Sequence, residues 1–271
     1  MGFYSPEVIV GDASRHGIKV LPVDINRSAG DCAVVDGAVR LGFRYVREMG
    51  ETAIAGLLKA RVEALFVSLA DFYRRAGLSR EATDSLILAG ALDAFGPRRQ
   101  LLWEAGILEK VGRDRLMFDC PSHQVPLPGM TDWEKLAAEY SVQGLSAGVH
   151  PMEMIREGMV SDGILKGEEV LALPSGTKVR VAGYVVCRQA PRTAKGHVFL
   201  TLEDETGLVN VILRPDVYQK YRNTVRTEPL ILVEGMFQKR DGICNILAES
   251  VSPLKRGRGE REPVPAARNF C

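Results

Sequence analysis

The chain has 271 residues with 46% hydrophobic content, which is enough for one large domain or for two to three small folded domains. The 35 Lys and Arg residues against 34 Asp and Glu leave a net charge of +1, which excludes a histone-like polycation. Five widely spaced cysteines without a C-x-x-C pair argue against a disulfide framework and a multi-cysteine zinc site, and fit a reducing cytoplasm. No apolar run approaches the ~18 residues of a membrane span and the N-terminus does not read as a signal peptide, so we expect a soluble cytoplasmic protein.

The charge is unevenly distributed along the chain. Residues 176–252 carry eleven Lys or Arg against eight Asp or Glu, and residues 253–271 carry five against two. Residues 1–175 carry nineteen against twenty-four. The C-terminal third is therefore the basic part of the chain.

The first segment, residues 1–38, reads as a helix followed by an edge segment. Ser5 and Pro6 have the residue types of a helix N-cap and first position, and Gly17 is typical of a helix end. Residues 18–23 then read as an extended stretch that Pro22 confines to a sheet edge.

Apolar residues at helical spacing continue from Val39 to Gly106, with short glycine-containing breaks between them. Residues 39–106 are therefore predicted to form an all-α domain. Residues 107–175 read as a linker with short helices. One of these begins at a Thr131–Glu134 capping box and runs to about residue 140, and another follows His150 and Pro151.

Residues 41–61 have the layout of a helix-hairpin-helix element, which holds a DNA phosphate on the backbone N–H groups of its hairpin. The hairpin would be residues 48–50, with a second helix from about residue 51 to Arg61. Glu48 stands where the usual hairpin has its first glycine, and its negative charge argues against phosphate binding. A less regular second unit covers residues 78–91, and well-packed short helices without DNA contacts are the alternative. The candidate DNA-binding residues here are Arg47, Met49, Gly50 and Thr52.

Beyond residue 176 the apolar period changes to two, which predicts β-strands. The predicted strands are 178–186, 197–203, 208–214, 229–238 and 243–251, with a helix at 216–225. Five strands with a helix after the third match the OB-fold, a small β-barrel that binds oligonucleotides. The predicted fold class is thus a multidomain α+β chain, in which a helix-hairpin-helix domain precedes an OB-fold at 176–252. Residues 253–271 read as a basic disordered tail.

Strand parity separates two faces of this barrel. One apolar set predicts the barrel core: Val179, Val181, Val185, Val198, Leu200, Leu202, Val209, Val211 and Leu213. The opposite parity and the flanking loops carry aromatic, amide and basic groups, which suit base stacking and backbone contacts on a single strand. An ordinary solvated surface is the alternative. The candidate DNA-binding residues are Tyr184, Arg188, Arg192, Lys195, Phe199, Asn210, Arg214, Lys239 and Arg240.

Other chemistry-bearing residues give weaker patterns. The acidic run Glu203–Glu205 suits either a cation site or, as we expect, a solvated turn between strands. Cys120 and His123 lack the second ligand pair that a zinc site needs. The sequence therefore assigns no catalytic residue and no metal ligand.

Several blocks of sequence resemble a known family. The blocks are residues 2–6, 22–28, 39–42, 89–93, 188–189, 193–196, 201–207 and the ending 267–270. Together they resemble the C-terminal part of bacterial C-family DNA polymerases, and within these the error-prone branch of the polymerase III alpha subunit. The resemblance implies helix-hairpin-helix elements that bind duplex DNA and an OB domain near the single-stranded template. It implies a role in DNA replication and translesion repair synthesis.

The resemblance also implies what precedes Met1 in the family, namely the PHP, palm and thumb regions and most of the fingers. Family members hold Mg²⁺ in the palm, whereas this chain shows no Asp-x-Asp pair or P-loop, so we expect no cofactor and no polymerase activity from it alone.

The partners implied are single-stranded and primer-template DNA, the remaining polymerase polypeptide and translesion accessory proteins. Residues 124–127 lack the aromatic anchors of a sliding-clamp peptide, which argues against clamp binding. The alternatives are one subunit of a split, active DNA polymerase and an OB-fold tRNA-binding module.

Overall fold

The computed structural model describes residues 6–111, 127–254 and 268–270. The chain divides into two compact units. One unit comprises residues 17–148, and the other combines the residues up to His16 with those from Val149 onward. The five segments predicted from the sequence divide the chain more finely and stay a prediction.

Residues 17–148 begin with a small three-stranded sheet. Its strands are β1 (Val20–Leu21), β2 (Ala33–Val35) and β3 (Ala38–Arg40), with β3 in the centre, parallel to β1 and antiparallel to β2. Asp36 and Gly37 both have positive φ angles, as a tight turn between β2 and β3 requires. The sequence predicted the extended stretch at β1 but not this hairpin.

Five longer helices follow, α2 (Glu51–Glu63), α3 (Leu69–Ala76), α4 (Arg80–Leu88), α5 (Arg98–Val111) and α6 (Asp132–Gln143). The side chains of Ser68 and Ser79 cap α3 and α4, and the predicted capping box at α6 is present. The residues buried most completely are large and apolar: Phe43, Leu57, Phe72, Leu86 and Leu92. Apart from β3 at its start, the predicted all-α segment is confirmed.

The second unit contains a closed five-stranded barrel formed by β4 (Lys178–Gln189), β5 (Val198–Glu203), β6 (Leu208–Leu213), β7 (Leu230–Arg240) and β8 (Ile243–Pro253). Helix α10 (Pro215–Thr227) lies between β6 and β7. The order β5-β6-β8-β7-β4 is closed by pairing of β4 with β5, and among these five strands only β6 and β8 pair in parallel. The predicted strands and helix agree with these elements to within three residues, and the OB-fold is confirmed.

The predicted apolar set of the barrel forms its core. Every residue in it is buried in one cluster, to which Val217 and Val225 of α10 and Phe237 of β7 also belong. The parity derived from the sequence is therefore correct for this apolar set.

A bulge in the pairing of β7 with β8 occurs at Gly235, where an added Cβ would lie 2.3 Å from the Leu247 carbonyl oxygen.

Short helices precede the barrel within the same unit, α1 (Pro6–Arg15), α7 (Pro151–Ile155), α8 (Glu157–Val160) and α9 (Gly167–Leu171). At the other end of the chain, β9 (Arg268–Phe270) pairs in parallel with β4 at residues 187–189. The prediction of a disordered tail is thus wrong for residues 268–270, and residues 255–267 lie outside the described residues.

Candidate nucleic-acid interface

The outward face of β5 and β6 carries the side chains predicted to contact bases. Phe199 is paired with Ile212 and Thr201 with Asn210, so these side chains are neighbours across the two strands. Phe199 and Thr201 are half-buried and Asn210 is exposed. The Thr201 hydroxyl donates to the Asn210 amide oxygen at 3.4 Å. We call these four residues the platform.

Tyr184 and Arg188 of β4 were both predicted to face outward, but they are only 4% and 8% exposed. The Arg188 Nε–H donates to the Val225 carbonyl oxygen, and its Nη2–H donates to the Glu228 carbonyl oxygen, both at 2.6 Å. Burial lowers the pKa of Arg188 and raises that of Tyr184, which also lies near Glu7 of α1. Tyr184 and Arg188 are therefore not exposed, as contact with DNA would require. For Arg188 the reason is a bulge between Val185 and Cys187, after which Arg188 pairs with the core residue Leu200 and turns toward the barrel interior.

The loop between β4 and β5, residues 190–197, lies at one end of the platform. Arg192 and Lys195 in this loop are exposed. Gln189 pairs with Phe199, which places the start of the loop beside that ring. Arg214 follows β6 at the same end, is exposed, and lies 3.8 Å from the Asp216 carboxylate. Basic side chains therefore cluster where Phe199 begins the platform.

The hairpin between β7 and β8 lies at the other end of the platform. Lys239 and Arg240 are exposed, and Arg240 is 3.7 Å from the carboxylate of Asp241 in the turn. Val211 pairs in parallel with Ile246, which places the start of β8 beside the start of β6. The two basic loops thus lie at opposite ends of one outward surface.

The acidic turn between β5 and β6 is buried rather than solvated, which corrects our expectation for it. Asp204 is 4% exposed, and its Oδ1 accepts from the Thr206 N–H, the Thr206 hydroxyl and the Gly207 N–H. Its Oδ2 accepts from the Gly167 N–H at 2.7 Å and from Arg156 Nη2 at 3.1 Å. One carboxylate therefore closes the turn and holds α9 against it.

Two arginines from distant segments complete an ion-pair cluster around this turn. Arg156 donates to both carboxylate oxygens of Glu205, at 2.6 and 2.8 Å, besides its bond to Asp204. Arg15 of α1 donates to Glu203 at 3.0 Å. Burial raises the pKa of Glu203, against the effect of Arg15. Among the described residues no group of three or more His, Cys, Asp or Glu is arranged to hold a metal ion. The carboxylates of this turn are paired with Arg15 and Arg156.

His150 lies beside this cluster and caps α7. Its Nδ1 accepts the N–H of Met152 at 3.1 Å, which requires a neutral ring protonated on Nε2. The pKa of His150 is lowered to about 4, chiefly by burial; Asp204 and Glu205 act to raise it, and Arg15 and Arg156 act to lower it. The cap is therefore present while His150 is uncharged.

The first predicted helix-hairpin-helix element has an incomplete first helix. A three-residue 3-10 turn, Phe43–Tyr45, stands where the first helix was expected, whereas α2 begins at Glu51 as predicted. Glu48 has a φ of 64°, in the left-handed region. Gly50 precedes α2 without a side-chain cap, and Thr52 is exposed in the first turn.

Two backbone N–H groups of this hairpin bond within the protein. The Arg47 N–H donates to the Val142 carbonyl oxygen at 2.7 Å, and the Met49 N–H donates to that of Val46 at 3.3 Å. The Met49 side chain is also buried, whereas the Arg47 side chain is exposed, and DNA contact by this hairpin stays a prediction. These bonds leave fewer donors for a phosphate than the predicted hairpin would have.

The second predicted helix-hairpin-helix element is more regular than the first. Its helices α4 and α5 are joined by residues 89–97. Gly90 has a φ of 81°, and an added Cβ would lie 2.3 Å from Arg98 Nη2. The Arg98 side chain is 7% exposed and pairs with Asp93 and Glu139 at 2.9 and 2.8 Å. A buried arginine therefore fixes the shape of this hairpin.

Two further findings bear on the sequence-based expectations. No helix within the described residues is long and apolar enough to cross a membrane. Cys120 and His123 lie outside the described residues, as do residues 124–126 of the segment considered for clamp binding.

Comparison with protein families gives two matches. A helix-hairpin-helix motif matches residues 17–102. An OB-fold nucleic acid binding domain matches residues 179–254. These matches agree with the helical segment and the barrel.

Among curated proteins, the error-prone DNA polymerase of Corynebacterium glutamicum is 38% identical over 97% of this chain and 25% of its own length. That of Anaeromyxobacter sp. (strain K) is 37% identical over 94% of this chain and 24% of its own length. Among solved structures, an asparaginyl-tRNA synthetase from Pyrococcus horikoshii aligns with a TM-score of 0.30 and 20% identity over 37% of this chain and 24% of its own, too weak a likeness to argue from.

The chain spans about a quarter of the length of the curated polymerases it matches. Helix-hairpin-helix and OB-fold segments occur in it in the order expected for the C-terminal part of such a polymerase. The chain is therefore a homologue of the C-terminal part of bacterial error-prone DNA polymerases, with a helix-hairpin-helix region followed by an OB-fold nucleic acid binding domain.

Proposed function

We propose that this chain is a DNA-binding part of an error-prone DNA polymerase and that its barrel holds single-stranded DNA on the platform. The observation that carries the proposal is the outward face of β5 and β6, where Phe199 and Asn210 lie between two basic loops. Aromatic rings stack on bases of any sequence, and flanking cations follow the phosphate backbone. The proposed role is to support replication and repair synthesis across damaged template.

Single strands are preferred over duplex DNA in this proposal. Helix-hairpin-helix elements hold duplex phosphates through free backbone N–H groups. In the first hairpin the N–H groups of Arg47 and Met49 already donate to carbonyl oxygens, and Glu48 adds a negative charge. The groups of this hairpin that we propose for contact with DNA are Gly50, Thr52 and the exposed side chain of Arg47.

We infer that nucleotidyl transfer, with its Mg²⁺, belongs to the portion of the relatives that this chain does not match, and that the protein works in the cytoplasm. The remaining polymerase polypeptide and translesion accessory proteins are the proposed protein partners. A subunit of a split, active DNA polymerase is the second candidate. Primer extension with the chain alone, and with the missing portion added, distinguishes the two.

Phe199→Ala is expected to weaken binding of single-stranded DNA by about 1–3 kcal/mol, because one base loses its stacking partner. The salt dependence should stay the same, since the ring carries no charge. Fluorescence anisotropy across a salt series measures both quantities. Ile212→Ala removes the apolar residue paired with Phe199 and is the matched control, with a smaller loss expected. Unchanged affinity in Phe199→Ala would remove the platform from the proposal.

Arg192→Ala and Lys195→Ala should each weaken binding to all sequences alike, because exposed loop cations contact phosphates rather than bases. For each phosphate of a single strand that the variant no longer neutralises, the slope of log affinity against log salt should become shallower by about 0.7. Comparing oligo-dT with oligo-dA in the same titrations checks the sequence independence. Weaker binding of one sequence only would contradict an interaction with the phosphate backbone.

A further inference from the structure

Helix α10 presents an exposed basic side next to the platform. Lys220, Arg222 and Arg226 are exposed, and none of them forms an ion pair with a described residue. Val217 and Val225 on the other side belong to the barrel core. The helix is therefore amphipathic, with its apolar side packed and its cations facing solvent.

This helix is held in a fixed position at the basic loop. An added Cβ on Gly196 would lie 3.3 Å from the Pro215 ring, so the loop 190–197 packs against the first residue of α10. At the other end of the helix, Arg188 donates to the carbonyl oxygens of Val225 and Glu228. Both ends of α10 are thus anchored to the barrel, and its cations keep their place relative to the loop.

The Phe199 end of the platform carries more basic residues than the end with the acidic turn, where the β7–β8 hairpin contributes Lys239 and Arg240. The loop 190–197 and the segment 214–228 together carry six basic residues and two acidic ones, Asp216 and Glu228. The acidic run 203–205 follows the opposite end of β5 and is paired with Arg15 and Arg156. A polyanion at the platform is therefore attracted toward α10 rather than toward the acidic turn.

We propose that a single DNA strand leaving the platform at Phe199 continues over the loop 190–197 and along α10, which forms a second phosphate-binding stretch. The inference rests on the proposed function and extends it from a local platform to a path. α10 has thirteen residues, but the non-helical backbone of Tyr221 (φ −110°, ψ 18°) divides it into two stretches, and Arg222 and Arg226 lie in the second. At about 1.5 Å per residue the two stretches together add at most about 20 Å, enough for several further nucleotides. Arg222 and Arg226 lie one turn apart and are the residues assigned to phosphates.

The test uses the full chain with oligo-dT of about 5 and about 15 nucleotides, within the range of site sizes of OB-folds. Arg222→Gln/Arg226→Gln should weaken binding of the longer oligonucleotide about tenfold at low salt and make its salt slope shallower by about 1.4, two phosphates at about 0.7 each. Binding of the shorter oligonucleotide should be unchanged. Arg222→Lys/Arg226→Lys keeps the charge and should restore most of the affinity.

Lys59→Gln/Lys178→Gln removes two exposed cations elsewhere in the chain and is the control. The inference is overturned if this control loses as much affinity as the α10 variant, if both lengths lose affinity equally, or if oligo-rU shows the larger loss. If neither length binds in a manner that depends on Phe199, the proposed function fails, and the path fails with it. If binding depends on Phe199 but is unchanged in Arg222→Gln/Arg226→Gln, the path along α10 is overturned while the proposed function stands.

Discussion

Replacing Asp204 with alanine is expected to lower the free energy of unfolding of the barrel unit by about 3–5 kcal/mol, the range for breaking a buried ion pair. The carboxylate accepts from Thr206, Gly207, Gly167 and Arg156, and both it and Arg156 are buried. Its removal leaves the Gly167 N–H without this acceptor and Arg156 with only Glu205. Urea unfolding combined with hydrogen exchange of barrel peptides measures the change.

The control for this substitution is an exposed pair on the same barrel. Lys178 and Glu249 lie 3.4 Å apart, and their side chains are 74% and 48% exposed. Because exposed pairs contribute little, Glu249→Gln should change stability by less than about 1 kcal/mol. If Asp204→Ala were as mild as Glu249→Gln, the acidic turn would be the solvated loop that its sequence suggests.

Acidification should destabilise the barrel unit by up to about 3 kcal/mol through His150 alone, as the pH falls from about 6.5 to about 4. The pKa of His150 is depressed in the folded protein, so the unfolded chain binds the proton first and gains stability from it. The contribution is complete above pH 6.5 and is lost as the pH approaches the folded value of about 4. Protonation of Nδ1 also removes the acceptor for the Met152 N–H.

His150→Asn separates this effect from the neighbouring carboxylates. Asparagine is a good N-cap that does not titrate, so the variant should keep α7 and have a flatter stability profile between pH 4 and 7. Glu203, whose pKa is raised, acts in the opposite direction, because its contribution is lost as the pH rises through that value. Both proteins contain Glu203, so the difference between their urea midpoints reports His150. Parallel profiles would show that His150 is not the group responsible.

Local patterns predicted the barrel well because the signal is periodic. Alternation assigned Val198 and Leu200 to the core and Phe199 to the outside, and a strand of period two allows no other arrangement once the core is known. The same parity gave the wrong face for Arg188, because a bulge between Val185 and Cys187 shifts the register of β4 and alternation along the sequence does not reveal it. For Tyr184 the face is outward, but parity does not show that Glu7 of α1 lies near it.

The prediction of a solvated turn at residues 203–205 was wrong because the partners of these carboxylates lie far away in sequence. Asp204 and Arg156 are 48 residues apart, and nothing in the run 203–205 identifies a distant arginine as its partner. The environment of the half-buried N-cap His150 likewise cannot be predicted until the segments that pack around it are known. Within residues 17–148, the residues before Glu48 have an apolar pattern compatible with a helix. In the structure they form β3 and a single 3-10 turn instead.

The parallel pairing of β9 with β4 has a practical consequence for handling the protein. Residues 268–270 cover backbone N–H and C=O groups of residues 187–189, which pair with β5 on their other side. Removing the last residues, or attaching a bulky affinity tag directly to them, bares an edge that can recruit a strand from another molecule. Preparations shortened before Arg268 should therefore self-associate in solution more readily than the intact chain, and a tag belongs at the opposite terminus.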